Sequence, residues 1–349
     1  MKYTFILSGD FIDLAKEEVL SLLEIKNCKI IDRLLIINLN KKMLNRKFLR
    51  LGLTKSVHKY LFECDINNLK DSMKNFSWSS IYKDNFCLRV HYLGAVKNNQ
   101  VFSERNLAGY IWRSLQKPKV NLENSKTEID LFFYKNKVYC GLSIYKNKED
   151  FEQRKSHLRP FPHSSSLHPK LARALVNITG IKENETLLDS FCGTGGFLIE
   201  AGLMNIKCIG YDIYKILING CKRNLDYFKI RNYRLRNKNA LTINDKFDYF
   251  VTDLPYGLNS NVLMKYEKDL WKNHRINKKI QKKGFIKNLE KFYLEFLRNL
   301  REKLTKKAVI VFPSYVNYKK LLKQAQFKIE KEFSNYVHRS LTRKIVKIR

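Results

Sequence analysis

The chain has 349 residues, 44% hydrophobic and 13% aromatic, with 67 Lys and Arg against 33 Asp and Glu, a formal net charge of +34. This length suggests two or three domains, and the apolar share is enough for real cores, which excludes a disordered basic tail. No apolar run approaches the about 18 residues of a membrane-spanning helix, so the surplus charge calls for a polyanionic partner: nucleic acid, an anionic membrane surface or an acidic protein.

An AT-rich coding sequence would supply part of the lysine without selection for binding. Seven cysteines, with no Cys-x-x-Cys pair, argue against a disulfide framework or zinc ribbon and fit a reducing cytoplasm. The first ten residues read as a strand entering a turn rather than a secretory leader.

In chain order, 3–7 reads as a strand, 11–24 as an amphipathic helix, 28–31 and 34–39 as strands, and 44–51 as a helix ended by Gly52. A strand over 54–64, a helix over 66–74 and a strand over 85–92 follow. A helix over 103–114 takes Ser103 as its N-cap, and 128–134 with 137–145 forms a hairpin turning at Asn136. The segment 146–166, with Pro160 and Pro162 and three consecutive serines, reads as a linker. Strands and helices then alternate. Helices are expected at 171–178, 196–204, 214–228, 287–303 and 318–324. Strands are expected at 186–188, 208–211, 233–236, 247–252 and 308–312, closed by 327–333 and 344–348. Repeated βα units imply a parallel, doubly wound sheet, to which the last two strands add an antiparallel edge.

The stretch Leu187-Leu188-Asp189-Ser190-Phe191-Cys192-Gly193-Thr194-Gly195-Gly196 runs from an apolar strand through an acid into a Gly-rich turn and a helix. It fits neither a dinucleotide fingerprint nor a triphosphate loop, and an acid at the strand end repels phosphate. It suits a cationic ligand, such as the amino group of a methionine moiety. Asp212, 23 residues on, is placed to accept from two ribose hydroxyls. Asn239 and Ala240, after the 233–236 strand, are placed to read an adenine amino group. An adenosyl ligand without pyrophosphate is S-adenosylmethionine, and the cofactor-binding candidates of the turn are Asp189, Phe191, Gly193, Thr194 and Gly195.

A second segment, Asp253-Leu254-Pro255-Tyr256-Gly257, ends a buried strand. It resembles the Asp/Asn-Pro-Pro-Tyr motif of methyltransferases that act on exocyclic amino groups of bases. Such a nitrogen is a poor nucleophile because its lone pair is delocalised into the ring. Hydrogen bonds from its N–H groups to Asp253 and a nearby backbone carbonyl return density to nitrogen, and Tyr256 stacks on the extruded base. Asp253, Pro255 and Tyr256 are the catalytic candidates. Leu254 stands where the motif has its first proline, and the backbone carbonyl survives that change.

Arg159-Pro160-Phe161, Ser166-Leu167-His168-Pro169-Lys170, the Asp189 turn, the Asp253 turn and His338-Arg339-Ser340-Leu341-Thr342-Arg343 together resemble the archaeal and eukaryotic tRNA guanine-10 N2-methyltransferases. The match spans about residues 155–349. The resemblance implies a Rossmann-like S-adenosylmethionine methyltransferase domain preceded by an α+β ferredoxin-like/THUMP module. Expected boundaries are 1–55 for the ferredoxin-like unit, 56–147 for the THUMP-like RNA-binding domain, 148–165 for the linker and 166–349 for the methyltransferase domain. It also implies that His168 packs beside the methionine part of the cofactor, and that THUMP grips the 3′ acceptor end of tRNA. One or two methyls, guanine 6 or 26 in place of 10, and a small activating subunit stay open. So do two rivals: a DNA adenine-N6 or cytosine-N4 methyltransferase, and a non-catalytic tRNA-binding subunit.

Residues 265–307 carry 15 Lys and Arg against 5 acids. The part from 265 to 283 lacks apolar periodicity and is expected to be a basic loop that contacts RNA through Lys265, Lys268, Lys272, Lys278, Lys279, Lys282 and Lys283. The first 150 residues hold 26 basic and 16 acidic residues, so most of the surplus lies in the catalytic half. No amphipathic anchor accompanies it, so no membrane contact is expected. The seven histidines lack metal-ligand spacing, so no metal is expected. Cys192 reads as a small packing residue, and the three tryptophans are too far apart to form one aromatic platform.

Overall fold

A computed structural model describes residues 1–39, 46–96, 102–163, 167–256, 278–339 and 341–349, with the side chains of 95–96 and 278–283 outside that description. The chain divides into two compact units: Met1–Lys16 with Ile25–Lys148, and Glu17–Glu24 with Glu149–Arg349.

The first 150 residues form β1 (Lys2–Leu7), α1 (Ile12–Leu23), β2 (Lys29–Ile31), β3 (Leu34–Asn38), α2 (Arg46–Leu49), β4 (Thr54–Asp65), α3 (Leu69–Asn75), β5 (Phe86–Val96), α4 (Glu104–Arg113), β6 (Thr127–Lys135) and β7 (Lys137–Lys146). One sheet, in the order β2-β3-β1-β4-β7-β6-β5, carries strands from both sides of residue 55. Ser103 caps α4 through its hydroxyl, which accepts from the Asn106 N–H at 3.3 Å. Trp78 is a core residue, and its indole donates to the Met73 carbonyl at 2.7 Å. Buried Asp130 on β6 collects two histidines: His58 Nδ1 of β4, from across β7, at 3.4 Å and His91 Nε2 of the adjacent β5 at 2.5 Å.

The second half continues as α5 (Pro169–Ile178), β8 (Thr186–Asp189), α6 (Gly196–Leu203), β9 (Lys207–Asp212), α7 (Lys215–Tyr227), β10 (Tyr233–Asn237), β11 (Phe247–Asp253), α8 (Lys278–Lys303), β12 (Leu304–Pro313), α9 (Tyr318–Gln324), β13 (Ile329–His338) and β14 (Leu341–Ile348). The sheet order is β10-β9-β8-β11-β12-β14-β13. The first five strands pair parallel, while β14 pairs antiparallel with both β12 and β13, as the alternating pattern predicts. Successive residues point to opposite faces, and both faces are apolar. Leu188, Phe250, Ala308, Ile310 and Phe312 pack with Leu289, Phe296 and Leu300 of α8, while their neighbours Leu187, Val251, Val309 and Val311 are equally buried.

One expectation needs revision. Helix α8 begins at Lys278 instead of 287, so Lys278, Lys279, Lys282 and Lys283 lie on a helix and not in a loop. The reason is that Lys, Gln, Glu and Leu are good helix formers. The packed half of α8 propagates the helix backward, past Gly284, without an apolar stripe to announce it. The rest of the expected basic loop, with Lys265, Lys268 and Lys272, lies outside the described residues. The segment read as a linker is tied to the second unit. Phe151 and Arg159 are buried, and Arg154 binds Glu200 of α6 through two hydrogen bonds of 2.8 and 3.3 Å. Among the described residues no helix is long and apolar enough to cross a membrane.

Candidate active site

Three parallel strands lying side by side, β9, β8 and β11, each end in an acid: Asp212, Asp189 and Asp253. The crevice beyond the carboxyl ends of such strands is where open α/β sheets bind ligands.

Asp189 is buried, and its Oδ1 accepts from the Thr252 hydroxyl at 2.7 Å and the Phe191 N–H at 3.2 Å. Burial pushes its carboxyl up to about 7 against those two bonds. The turn that follows closes on itself, with Cys192 N–H donating to the Tyr211 carbonyl and Gly195 N–H to the Cys192 carbonyl. Gly193 and Gly195 have φ of +52° and +90°, a region that L side chains rarely adopt. A Cβ on Gly195 would lie 2.8 Å from Cys221 Sγ, whereas one on Gly193 would meet nothing within 4 Å. The backbone therefore presents an open face at Gly193. Asp212 braces the turn from β9. It accepts the Gly193 N–H on Oδ2 and the Tyr214 N–H on Oδ1, each at 2.9 Å, while burial pushes its carboxyl upward. The buried hydroxyls of Ser190 and Thr194 have no hydrogen-bond partner among the described residues. Unsatisfied buried hydroxyls in a backbone cradle are a mark of a ligand site.

The other cofactor candidates sit around this turn in different ways. The Phe191 ring packs edge-on against Phe292 and Phe296 of α8. Asn239 is exposed, with its Oδ1 accepting from the Leu241 N–H at 3.0 Å, and Ala240 belongs to the apolar core. His168 caps α5, its Nδ1 accepting from the Lys170 N–H at 3.3 Å ahead of Pro169. It lines a cavity of about 490 Å³ with Lys155, His157, His163 and Leu167. The Cys192 thiol is pushed well above its usual range by a hydrogen bond with Cys221 and by burial, which suits packing and not nucleophilic attack.

The turn after β11 is the most heavily braced part of the site. Asp253 Oδ1 accepts from the Tyr256 hydroxyl at 2.5 Å, and Arg343 Nε donates to that same hydroxyl oxygen at 3.0 Å while lying 3.8 Å from Asp253 Oδ2. The Tyr293 hydroxyl donates to the Pro255 carbonyl at 2.7 Å and the Tyr315 hydroxyl to the Tyr256 carbonyl at 2.6 Å. Leu254 is buried in the core, and its N–H donates to the Val311 carbonyl at 3.1 Å, a bond that proline could not make. The leucine thus secures the turn by extending the pairing of β11 with β12. Burial pushes the Asp253 carboxyl up to about 6, against the charge of Arg343 and the Tyr256 hydrogen bond. Sequence reasoning missed Thr252, Tyr293, Tyr315 and Arg343 as members of the site. The last of these stood in the quoted hexapeptide, and the tyrosines carry no local signal.

An acid, in place of a lysine, beside a glycine cradle, on a sheet whose last pair runs antiparallel, defines the Rossmann-like, class I fold of S-adenosylmethionine-dependent methyltransferases. The RMKL-like methyltransferase domain family matches residues 156–272. A curated tRNA (guanine(10)-N2)-dimethyltransferase of Methanothermobacter thermautotrophicus is 32% identical over 285 residues, covering 80% of this chain and 77% of that one. One from Pyrococcus abyssi is 29% identical over 98% of both chains. The crystal structure of TrmN from Thermus thermophilus shares the fold over 100% of this chain and 99% of its own, with a TM-score of 0.52 and 14% identity. The chain belongs to the tRNA (guanine(10)-N2)-dimethyltransferase family. S-adenosylmethionine is the cofactor of such enzymes, and the residues fit it. The turn opens at Gly193, two buried hydroxyls are without a partner among the described residues, and acids stand where a phosphate would be repelled.

Proposed function

We propose that the chain methylates the exocyclic 2-amino group of guanine 10 in tRNA, adding one methyl and then a second. The observation that carries this reading is the Asp253–Tyr256 turn one strand from the Asp189 turn, in a chain whose relatives are named for that reaction. When bound, S-adenosylmethionine supplies the electrophilic methyl group. Asp189 takes its amino group, Asp212 the ribose hydroxyls and Asn239 with Ala240 the adenine, while His168 flanks the methionine part. Phe191, Thr194 and the two glycines shape the cradle. Asp253 and the Leu254 carbonyl accept the two N–H groups of the guanine and return electron density to its nitrogen. Tyr256 and Pro255 hold the extruded base. The protein is a cytoplasmic enzyme that uses no metal. Residues 1–55 and 56–147 act as ferredoxin-like and THUMP modules that grip tRNA, and 148–165 joins them to the methyltransferase domain at 166–349. Lys265, Lys268, Lys272, Lys278, Lys279, Lys282 and Lys283 meet the phosphates.

The test incubates the purified chain and methyl-labelled cofactor with tRNA and with duplex DNA, then maps modified nucleosides by mass spectrometry. N2-methyl- and N2-dimethylguanosine at position 10 is expected, and label in DNA alone overturns the reading. Activity of the chain by itself removes the need for an activating subunit. Binding of tRNA is expected to weaken by roughly 10³-fold or more between about 50 and 200 mM salt, as for a protein with six or more phosphate contacts. A flat dependence would return the charge to coding composition.

The two glycines separate cofactor contact from turn geometry. Gly195→Ala is expected to lower stability by about 1–3 kcal/mol, because the new Cβ meets Cys221 at a positive φ. Gly193→Ala is expected to cost only about 1 kcal/mol in stability but to weaken cofactor binding at least about tenfold, by filling the open face. Thermal melts and equilibrium dialysis read the two effects, and equal losses of affinity would move the cofactor away from Gly193.

A further inference from the structure

We propose that Arg343 is the positioning residue of the methyl-transfer turn: through the Tyr256 hydroxyl it holds the Asp253 carboxylate ionised and aimed at the substrate amino group. The inference rests on the reading of Asp253 as the acceptor of that group.

The geometry forms a one-way relay. A guanidinium has donors only, so Arg343 Nε donates to Tyr256 Oη at 3.0 Å. The Tyr256 hydroxyl has one proton, and it donates that proton to Asp253 Oδ1 at 2.5 Å. Arg343 also lies 3.8 Å from the other carboxylate oxygen, with its guanidinium carbon 6.0 Å from the centre of the Tyr256 ring. Both charged side chains are largely shielded, at 13% and 19% exposure, so their attraction is screened less than at a surface.

The fold places this contact for a reason. Arg343 lies on β14, in register with Pro313 of β12 and Asn335 of β13. The final antiparallel strand thereby returns a cation to the carboxyl end of β11, where the parallel strands deliver only acids. The other titratable groups around Asp253 are Asp189 from β8, Tyr293 from α8 and Tyr315 after β12. None of these is a cation, so among the described residues Arg343 is the one charge that, beside the Tyr256 hydrogen bond, opposes the burial that drives Asp253 toward its neutral form. A protonated Asp253 would present a hydroxyl where the guanine needs an acceptor. The effect should therefore appear in the pH dependence and not only in the rate.

The experiment measures tRNA methylation by the full chain from about pH 5 to 8. The wild-type acidic limb is expected near about 6. Arg343→Met is expected to move the limb up by about one pH unit and to lower kcat at neutral pH about tenfold, with cofactor affinity unchanged within about twofold. Arg343→Lys restores the charge without the planar fork, and the limb is expected to return part of the way. Tyr256→Phe keeps the ring, removes the relay proton and is expected to move the limb in the same direction. An unmoved limb with a uniform fall in rate and melting temperature overturns the proposal, since a merely structural arginine behaves that way. If Arg343→Met does not fold, Tyr256→Phe decides by the same limb. Activity retained by Asp253→Ala would instead sink the underlying reading of the site, whatever Arg343 does.

Discussion

Asp253→Ala is expected to lower methyl transfer to tRNA by at least about 10²–10³-fold, while tRNA affinity stays within about threefold. The split follows from the position of the residue. Asp253 is one half-buried carboxylate at the end of β11, held by Tyr256 and Arg343, and it makes no contribution to the basic surface that meets phosphates. Removing it deletes the acceptor that enriches the guanine nitrogen and leaves Arg343 facing the Tyr256 hydroxyl alone. Phosphate contacts supply most of the affinity for a nucleic acid and carry no information about the reacting base, so binding survives. Asp253→Asn keeps the shape and one acceptor oxygen, and an intermediate rate is expected. Single-turnover methylation and equilibrium tRNA binding, measured on the same preparation, separate the two quantities. Equal loss of both would count against the assigned role.

Glu200→Ala is expected to cost about 3–5 kcal/mol in stability, the range for breaking a buried ion pair by removing one partner. Glu200 is fully buried on α6, where Arg173 Nε donates to it at 2.8 Å and Arg154 binds it in a fork. Glu149 joins both arginines at 2.9 and 3.3 Å, and the Phe151 ring lies within 4.8 and 5.1 Å of the two guanidinium carbons. Without Glu200, two guanidinium groups stay in place with one half-buried carboxylate between them. At about 2–4 °C per kcal/mol for a unit of this size, the melting temperature should fall by roughly 10 °C. Replacing Glu200 and Arg173 together with leucine should cost less than Glu200→Ala, because only Arg154 is left, and it keeps Glu149 as its partner. A loss under about 1 kcal/mol would mean that water reaches the arginines. The network also holds down the 149–163 segment, whose Lys155, His157 and His163 line the cavity at His168. Cofactor affinity is therefore expected to fall with stability.

The sequence was most legible where chemistry and local structure coincide. Asp189 and Asp253 each close a short apolar run and open a turn of glycine or proline. Strand, acid and turn can then be read within about ten residues, because backbone preferences act at that range. Leu254 departs from the proline of the catalytic motif. The fold shows its N–H completing a bond to Val311 that the usual proline would forgo. Glu200, by contrast, is one acid in an apolar helix, and nothing nearby in sequence suggests that Arg154 and Arg173 converge on it. The start of α8 escaped notice because its first turns carry lysines without an apolar stripe.

The net charge, the βα alternation, the antiparallel ending and the identity of the three strand-end acids follow from the sequence by itself, since each is a local pattern or a count. Tertiary structure alone decided what surrounds those acids. Tyr293 comes to the Asp253 turn from 38 residues beyond its contact, Tyr315 from 59 and Arg343 from 87 beyond Tyr256. Contacts at such separations depend on sheet order and register, in which β14 inserts between β12 and β13. The ionisation of a buried carboxylate is set by those distant neighbours and by burial, and neither is written in the residues next to it.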